Sequence, residues 1–326
     1  MKDDQSIPKI WRSFRCLADN KQIEHKERLS LARLSVAATA ALFAMVVLPG
    51  SPTLPGSPTR SSTAAAAVLE QAAVTAADKP LGPMPGPGQF LYVRTLESTT
   101  DGNGVIYKGG ARDSWTYQTS YIKQEWIAPN GSGRVLVSDG SVAFLTPKDQ
   151  SAWAASGQPI PTVNAANVTY PPGNLVFPDS ASFPNDPSAL EQAIVQRYEN
   201  GRPQEITTFT LAGTLLEETA SPALRASLFR MIAQLPGIVD LGPMTDRLGR
   251  TGVGVGLTFD GVREELIFDP STAAVLEEER VVVSASPIDI SSMNHAGLVR
   301  GMVVGYTVYV RIGVANSNST LPGNEQ

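Results

Sequence analysis

Residues 34–48, Leu-Ser-Val-Ala-Ala-Thr-Ala-Ala-Leu-Phe-Ala-Met-Val-Val-Leu, form an uncharged apolar run, and beyond it the hydrophobic period changes twice. Ser61-Ser62-Thr63 can cap a helix over 64–77 with Val68, Leu69 and Ala72 toward a core. The proline-rich stretch 80–88 stops it. Alternation of period two then predicts strands over 89–97, 114–127, 133–138 and 141–146, the last two flanking the hairpin signal Asp139-Gly140. From 158 to 187 the pattern is irregular and rich in proline. Helical periodicity follows: 186–200, opened by Asp186-Pro187 and closed by Gly201; 206–219; and 223–235, opened by Ser221-Pro222. In the last, Leu224, Leu228, Met231, Ile232 and Leu235 share one stripe, with Arg225 and Arg230 off it. Strands return over 237–241, 252–259, 261–269, 274–286 and 302–313, with Asp260-Gly261 and Asp269-Pro270-Ser271-Thr272 as turns. Strands, a helical block, then strands again predict an α+β fold, an antiparallel sheet with helices packed on one side.

Fifteen helical residues span about 22 Å, short of a hydrocarbon core of roughly 30 Å, and Leu31, Ala32 and a snorkelling Arg33 bring residues 31–48 to the lower limit of a transmembrane helix. A cleaved signal peptide competes with this, but Leu48-Pro49-Gly50-Ser51 offers no small-x-small cleavage site. Residues 1–33 carry eight Lys/Arg against five acids, while the whole chain is at −5. The basic flank places the N-terminus in the cytoplasm and the larger, acidic remainder outside the cell membrane. The chain therefore divides into a cytoplasmic arm (1–30), a membrane anchor (31–48), a proline-rich stalk (49–60), an extracytoplasmic domain (61–315) and a tail expected to be disordered (316–326). Pro-Gly-Ser-Pro-Thr stands twice in the stalk, at 49–53 and 55–59. Such composition gives an extended spacer. In the arm, Trp11, Phe14 and Leu17 alternate with Arg12 and Arg15, which suits a helix on the inner leaflet as well as a disordered segment.

Chemistry is sparse. The outer segment has one histidine, His295, and no cysteine, since the chain's single Cys is Cys16. Cys-His catalysis is thereby excluded there, and a histidine triad would rest on His295, whose nearest acid is Asp289. Glu217-Glu218, Glu264-Glu265 and Glu277-Glu278-Glu279 read as solvated faces, because strand neighbours point to opposite sides. No zinc-ligand spacing is present, and neither a cofactor nor a metal is expected. An acidic outer domain is a poor partner for nucleic acid. Asn130, Asn167 and Asn318 stand in Asn-x-Ser/Thr triplets. Gly252-Val-Gly-Val-Gly-Leu257 lacks the following helix of a dinucleotide site. As a strand it puts Gly252, Gly254 and Gly256 on one bare face. That face either takes a helix packed tightly on the sheet or lines a cavity for an acyl chain, with Leu228 and Met231 contributing from the covering helix.

Several segments carry a resemblance: Pro87-Gly-Gln-Phe-Leu-Tyr-Val-Arg94, Asp113-Ser-Trp115, Leu235-Pro-Gly-Ile, and Arg250-Thr-Gly-Val through Leu266-Ile-Phe-Asp-Pro270. Together they resemble a family of actinobacterial proteins with a cytoplasmic N-terminus, one membrane helix and an extracytoplasmic domain similar to the lipoprotein-carrier (LolA-like) half-barrel. The resemblance implies a curved antiparallel sheet with helices across its concave face, and a non-enzymatic domain binding a lipid or lipoprotein acyl chain. The alternative is an envelope sensor or scaffold that binds a protein partner through the outer sheet and has no lipid pocket.

Overall fold

A computed structural model of the chain describes residues 62–79, 85–106, 112–175, 183–197, 203–217, 221–284, 289–290, 293–294 and 298–323. All of them fall in the unit Thr53–Gln326. The segment 31–48, Cys16 and His295 lie outside the described residues, and among the described ones no helix is long and apolar enough to cross a membrane.

Helix α1 (Ser62–Asp78) precedes a long hairpin of β1 (Phe90–Ile106) and β2 (Arg112–Ile127), followed by β3 (Gly133–Val137) and β4 (Ser141–Phe144). Helix α2 (Pro147–Ser156) and β5 (Ala166–Tyr170) come next, then helices α3 (Pro187–Arg197), α4 (Gln204–Glu217) and α5 (Pro222–Gln234). The chain closes with β6 (Val239–Thr245), β7 (Thr251–Phe259), β8 (Val262–Phe268), β9 (Val275–Val282), the short pair β10 (Asp289–Ile290) and β11 (Met293–Asn294), and β12 (Val303–Ala315). Ten strands build one open, curved antiparallel sheet in the order β5-β3-β2-β1-β12-β9-β8-β7-β6, with β4 also on β2.

The expected elements are present, although β3 and β4 pair with β2 and not as the hairpin that Asp139-Gly140 suggests. Helix α2, the short pair β10–β11, and β5 within the stretch 158–187 that reads as irregular are additions. Helix α2 has a capping Thr146 whose hydroxyl accepts from the Asp149 N–H at 3.1 Å, proline in its first turn, and Gly157 at φ 67° as its stop. It buries no residue, so no apolar stripe announced it. Strand β5 is exposed on both faces and is fixed by its ladder to β3 rather than by alternation.

The helices cover one face of the β6–β9 half. Helix α1 lies along α5 and touches β6, α3 and α4 flank α5, and α4 reaches β7, β8 and β9. Phe229 of α5 meets Phe268 of β8 edge-on at 5.3 Å between ring centroids. Alanines at 65, 72, 73 and 76, all buried, let α1 approach closely around Leu69.

Arg225, which falls off the apolar stripe of α5, is nonetheless fully buried. Its guanidinium donates to the carbonyls of Ala273 at 2.6 Å, Thr272 at 3.3 Å and Lys79 at 3.2 Å. Those carbonyls belong to the turn between β8 and β9 and to the end of α1, where backbone groups lack partners of their own. Burial lowers the pKa of Arg225 to about 10, so the side chain stays charged at neutral pH. Arg225→Ala should cost about 3 kcal/mol in urea unfolding by orphaning these acceptors, and Arg225→Lys should restore only part of it.

Candidate functional site

Residues directly opposite in an antiparallel ladder share a face, so the register sorts the side chains. Val253–Phe268 and Val255–Leu266 point to the helices, as the Phe229 contact with Phe268 requires. Gly254–Ile267 and Gly256–Glu265 therefore point the other way, and the same face continues through Glu279 and Glu277 of β9, Tyr306 and Val308 of β12, and Ser98 and Leu96 of β1.

This face, helix-free among the described residues, carries a ladder of charge. Glu265 and Glu279 stand directly opposite each other, and Glu277 lies two residues further along β9. The β6–β7 turn folds over them. Arg247 pairs with Glu277 through its Nε at 2.9 Å and with Glu279 through Nη2 at 2.8 Å, while its backbone N–H donates to Glu277 Oε2 at 2.8 Å. Its guanidinium also lies 4.1 Å from the centre of the Tyr306 ring. Asp246 ties the turn by accepting from the N–H groups of Leu248 and Arg250 and from Arg250 Nε at 2.6 Å, and Arg250 reaches on to the Leu276 carbonyl at 3.0 Å. Arg263 pairs with Glu265 at 2.6 Å.

Glu265 and Glu277 are 2% and 1% exposed, so these acids are buried and not the solvated faces that their spacing suggests. The spacing argument correctly sends Glu264 and Glu265 to opposite sides, but cannot show that Glu265, Glu277 and Glu279 converge from two strands beneath an arginine turn. Burial pushes Glu277 up to about 7, with Glu279 and Asp246 adding to it and outweighing Arg247. Burial and Glu279 likewise raise Glu265 to about 7 against the pull of Arg263. On the helix side, Glu97, Lys123 and Glu125 form a separate chain with nitrogen–oxygen distances of 2.9 and 3.1 Å; burial opposes the charge on Lys123, and the two acids overcome it.

The expected pocket residues do not come together. Gly252, Gly254 and Gly256 lie on the helix-free face, whereas Leu228 and Met231 are fully buried in α5 on the other side of the sheet. The glycine stripe is filled by the chain itself. A Cβ on Gly254 would land on the Met244 sulfur, one on Gly256 would lie 2.9 Å from Arg263 Cδ, and one on Gly252 would meet Ile267 and Leu276. The stripe makes room for neighbouring side chains of the sheet and its turn, and not for a tightly packed helix, since the helices lie on the opposite face.

A second feature on the same face escaped the sequence reading. Tyr92 and Trp126, paired across β1 and β2, meet at 5.1 Å between centroids with their rings tilted by 56°, and Phe90, Leu136 and Ala315 surround them. Residues 316–323, within the tail expected to be disordered, run back across this patch. The Trp126 indole N–H donates to the Thr320 carbonyl at 2.7 Å; Arg311 donates to the carbonyls of Pro322 at 2.8 Å and Gly323 at 3.3 Å; Arg134 donates to Asn318 at 3.4 Å. Pro322 is buried over Gly313, where a Cβ would stand 3.0 Å from the proline ring, while Leu321 is 56% exposed. Indole and guanidinium donors in β-strands leave no periodic trace, so only the register could assemble them.

No protein-family model matches the chain, and no curated protein does. Among solved structures, one similar chain comes from the Pseudomonas aeruginosa MucA/MucB complex, at 10% identity and a TM-score of 0.23. The match covers 80% of this chain and 59% of that one, so this chain spans less than two thirds of the neighbour's length. At that TM-score the likeness carries neither fold detail nor activity across.

Because Glu277 binds its proton more tightly in the folded chain than at its ordinary value of 4.5, its contribution to stability is present below about pH 4.5 and is lost as pH rises through about 7. Glu277→Gln should flatten the fall in unfolding free energy across that window, by on the order of 3 kcal/mol, in urea melts at a series of pH values. Gly254→Ala should lower stability by about 1–3 kcal/mol through its clash with Met244, and Met244→Ala in the same chain should recover part of the loss.

Proposed function

We propose that this chain is a membrane-tethered, non-enzymatic domain of the cell envelope that binds a protein partner through the helix-free face of its sheet. In this reading residues 31–48 anchor it, the basic arm stays in the cytoplasm, and the stalk 49–60 holds a half-barrel domain away from the membrane surface. One observation carries the proposal. Side-chain donors on that face grip a polypeptide by its main-chain carbonyls, independent of most of the side chains it presents. Such contacts suit an extended peptide, because the carbonyls are common to every sequence and the aromatic patch selects what lies against it.

The rival reading, a carrier of lipid or lipoprotein acyl chains, draws on the glycine stripe with Leu228 and Met231. Its support weakens because the stripe is occupied by Met244, Arg263, Ile267 and Leu276 and faces away from α5.

Mass spectrometry of lipids co-purifying with the unit from residue 62 to 326, against a matched non-binding protein, separates the two readings. The partner-binding proposal expects an empty protein even after exposure to envelope lipids. One acyl lipid per chain, lost on Gly254→Leu, would restore the carrier reading.

A further inference from the structure

The segment seated on the aromatic patch is Thr320-Leu321-Pro322-Gly323, and the same four residues occur in the same order in the stalk, as Thr53-Leu54-Pro55-Gly56. We infer that the patch is a docking groove for this sequence and that its exchangeable occupant is the Thr53–Gly56 stalk segment of a second copy of the chain. This rests on the partner-binding reading and names the partner.

Three features of the seated tail define what the groove recognises. The first is the Thr320 carbonyl, held by the Trp126 indole at 2.7 Å. The second is the Pro322 ring, buried against Gly313. The third is the pair of carbonyls of Pro322 and Gly323, both held by Arg311. Leu321, between them, turns outward. Every group that the groove contacts within these four residues is reproduced by Thr53, Pro55 and Gly56. An aromatic platform with an indole donor beside a buried proline is the general chemistry of proline-peptide recognition, in which the fixed φ of proline lowers the cost of ordering the ligand. Two other Leu-Pro-Gly triplets lack the threonine: Leu48-Pro49-Gly50 follows Val47, and Leu235-Pro236-Gly237 follows Gln234 at the end of α5, where Leu235 is buried in the core. The groove also holds a spare donor. Arg94 stands opposite Arg311 in the ladder, and its Nε is buried without a hydrogen-bond partner among the described residues.

The chain's own stalk is the poorer source. Only residues 57–61 separate Gly56 from the start of α1, a reach of about 20 Å when fully extended. Helix α1 packs with the helices on the opposite side of the sheet from the groove, so those residues would have to carry the chain around a sheet edge. The stalk of a neighbouring copy has no such limit. Stalk-to-groove docking joins two different surfaces, so it links copies head to tail, and tethering to one membrane raises their effective concentration. The tail of each chain then acts as an intramolecular competitor that keeps the groove filled until a stalk displaces it.

The test uses full-length chain in detergent micelles, with a photoreactive benzophenone side chain at Leu54, the counterpart of the outward-facing Leu321. Isotopically light and heavy copies are mixed, irradiated and digested, and the crosslinks are mapped. Light–heavy crosslinks from position 54 to β1 or β12 beside Tyr92 and Arg311 are expected. Pro322→Asp, which weakens the competing tail, should raise their yield about fivefold, and Gly313→Leu, which fills the proline notch, should lower it about tenfold. A Cβ at position 313 meets only Pro322 within 4 Å, which places the added side chain at the proline notch; an unchanged melting temperature of Gly313→Leu checks that the sheet is intact. Absence of groove crosslinks in the Pro322→Asp chain, or crosslinks only within one copy, overturns the proposal. If the stalk fails but a synthetic peptide of residues 317–326 binds the Pro322→Asp chain in trans and Gly313→Leu blocks it, the stalk proposal falls while partner binding stands. If neither binds, both fall.

Discussion

A single guanidinium holds the helical layer to the sheet. Arg225 is buried with burial alone displacing its pKa, and its charge is met by backbone carbonyls from two separate elements. Its position fixes α5 against the turn that joins β8 to β9 and against the end of α1. Apolar contacts such as Phe229 on Phe268 then have a defined geometry to fill. Hydrophobic burial drives the layers together without direction, whereas this set of hydrogen bonds has one arrangement.

With the helices fixed on one side, the other side of the sheet must satisfy itself. It does so by local means: the arginine turn over three glutamates at one end, and the returning tail over Tyr92 and Trp126 at the other. Both are polar solutions to covering strand faces that no helix reaches among the described residues. Their energetics differ. The buried glutamates sit where desolvation outweighs pairing, so the ladder constrains geometry at a cost in stability near neutral pH. The tail is held mostly through exposed residues and a few hydrogen bonds, and such a segment belongs to the easily opened part of a structure.

Much of the architecture was legible in the sequence because each element carried its own signal. Cap-plus-proline pairs marked α3 and α5, Asp260-Gly261 marked the β7–β8 hairpin, and period-two runs marked β7 to β9, whereas Asp139-Gly140 joins β3 and β4, which both pair with β2 and not with each other. Helix α2 was missed despite a good cap because it buries nothing, and β5 because both its faces are wet. Arg225 was misjudged by a rule that is sound for an amphipathic surface helix: α5 has neighbours on more than one side, so Arg225 is buried as well, while Arg230 stays in the open beside Glu70. The glycines were read correctly as a bare strand face. Which way that face points is a property of register across strands that are far apart in sequence, and the same holds for the convergence of Glu265 with Glu277 and for the assembly of Trp126, Arg134 and Arg311.

Strand β12 ends the sheet in sequence but not in space. It lies between β1 and β9, joining a half built from the first strands to a half built after the helices. Until residues 303–315 leave the ribosome, β1 and β9 each present an unpaired edge, and the two half-sheets have no direct ladder between them. Residues 107–302, nearly two hundred of them, separate β1 from the strand that completes it. Long-range closure of this kind is slow and leaves strand edges open to other chains. A domain synthesised from its N-terminus therefore emerges as two incomplete sheets, and depends on its last strand to become one.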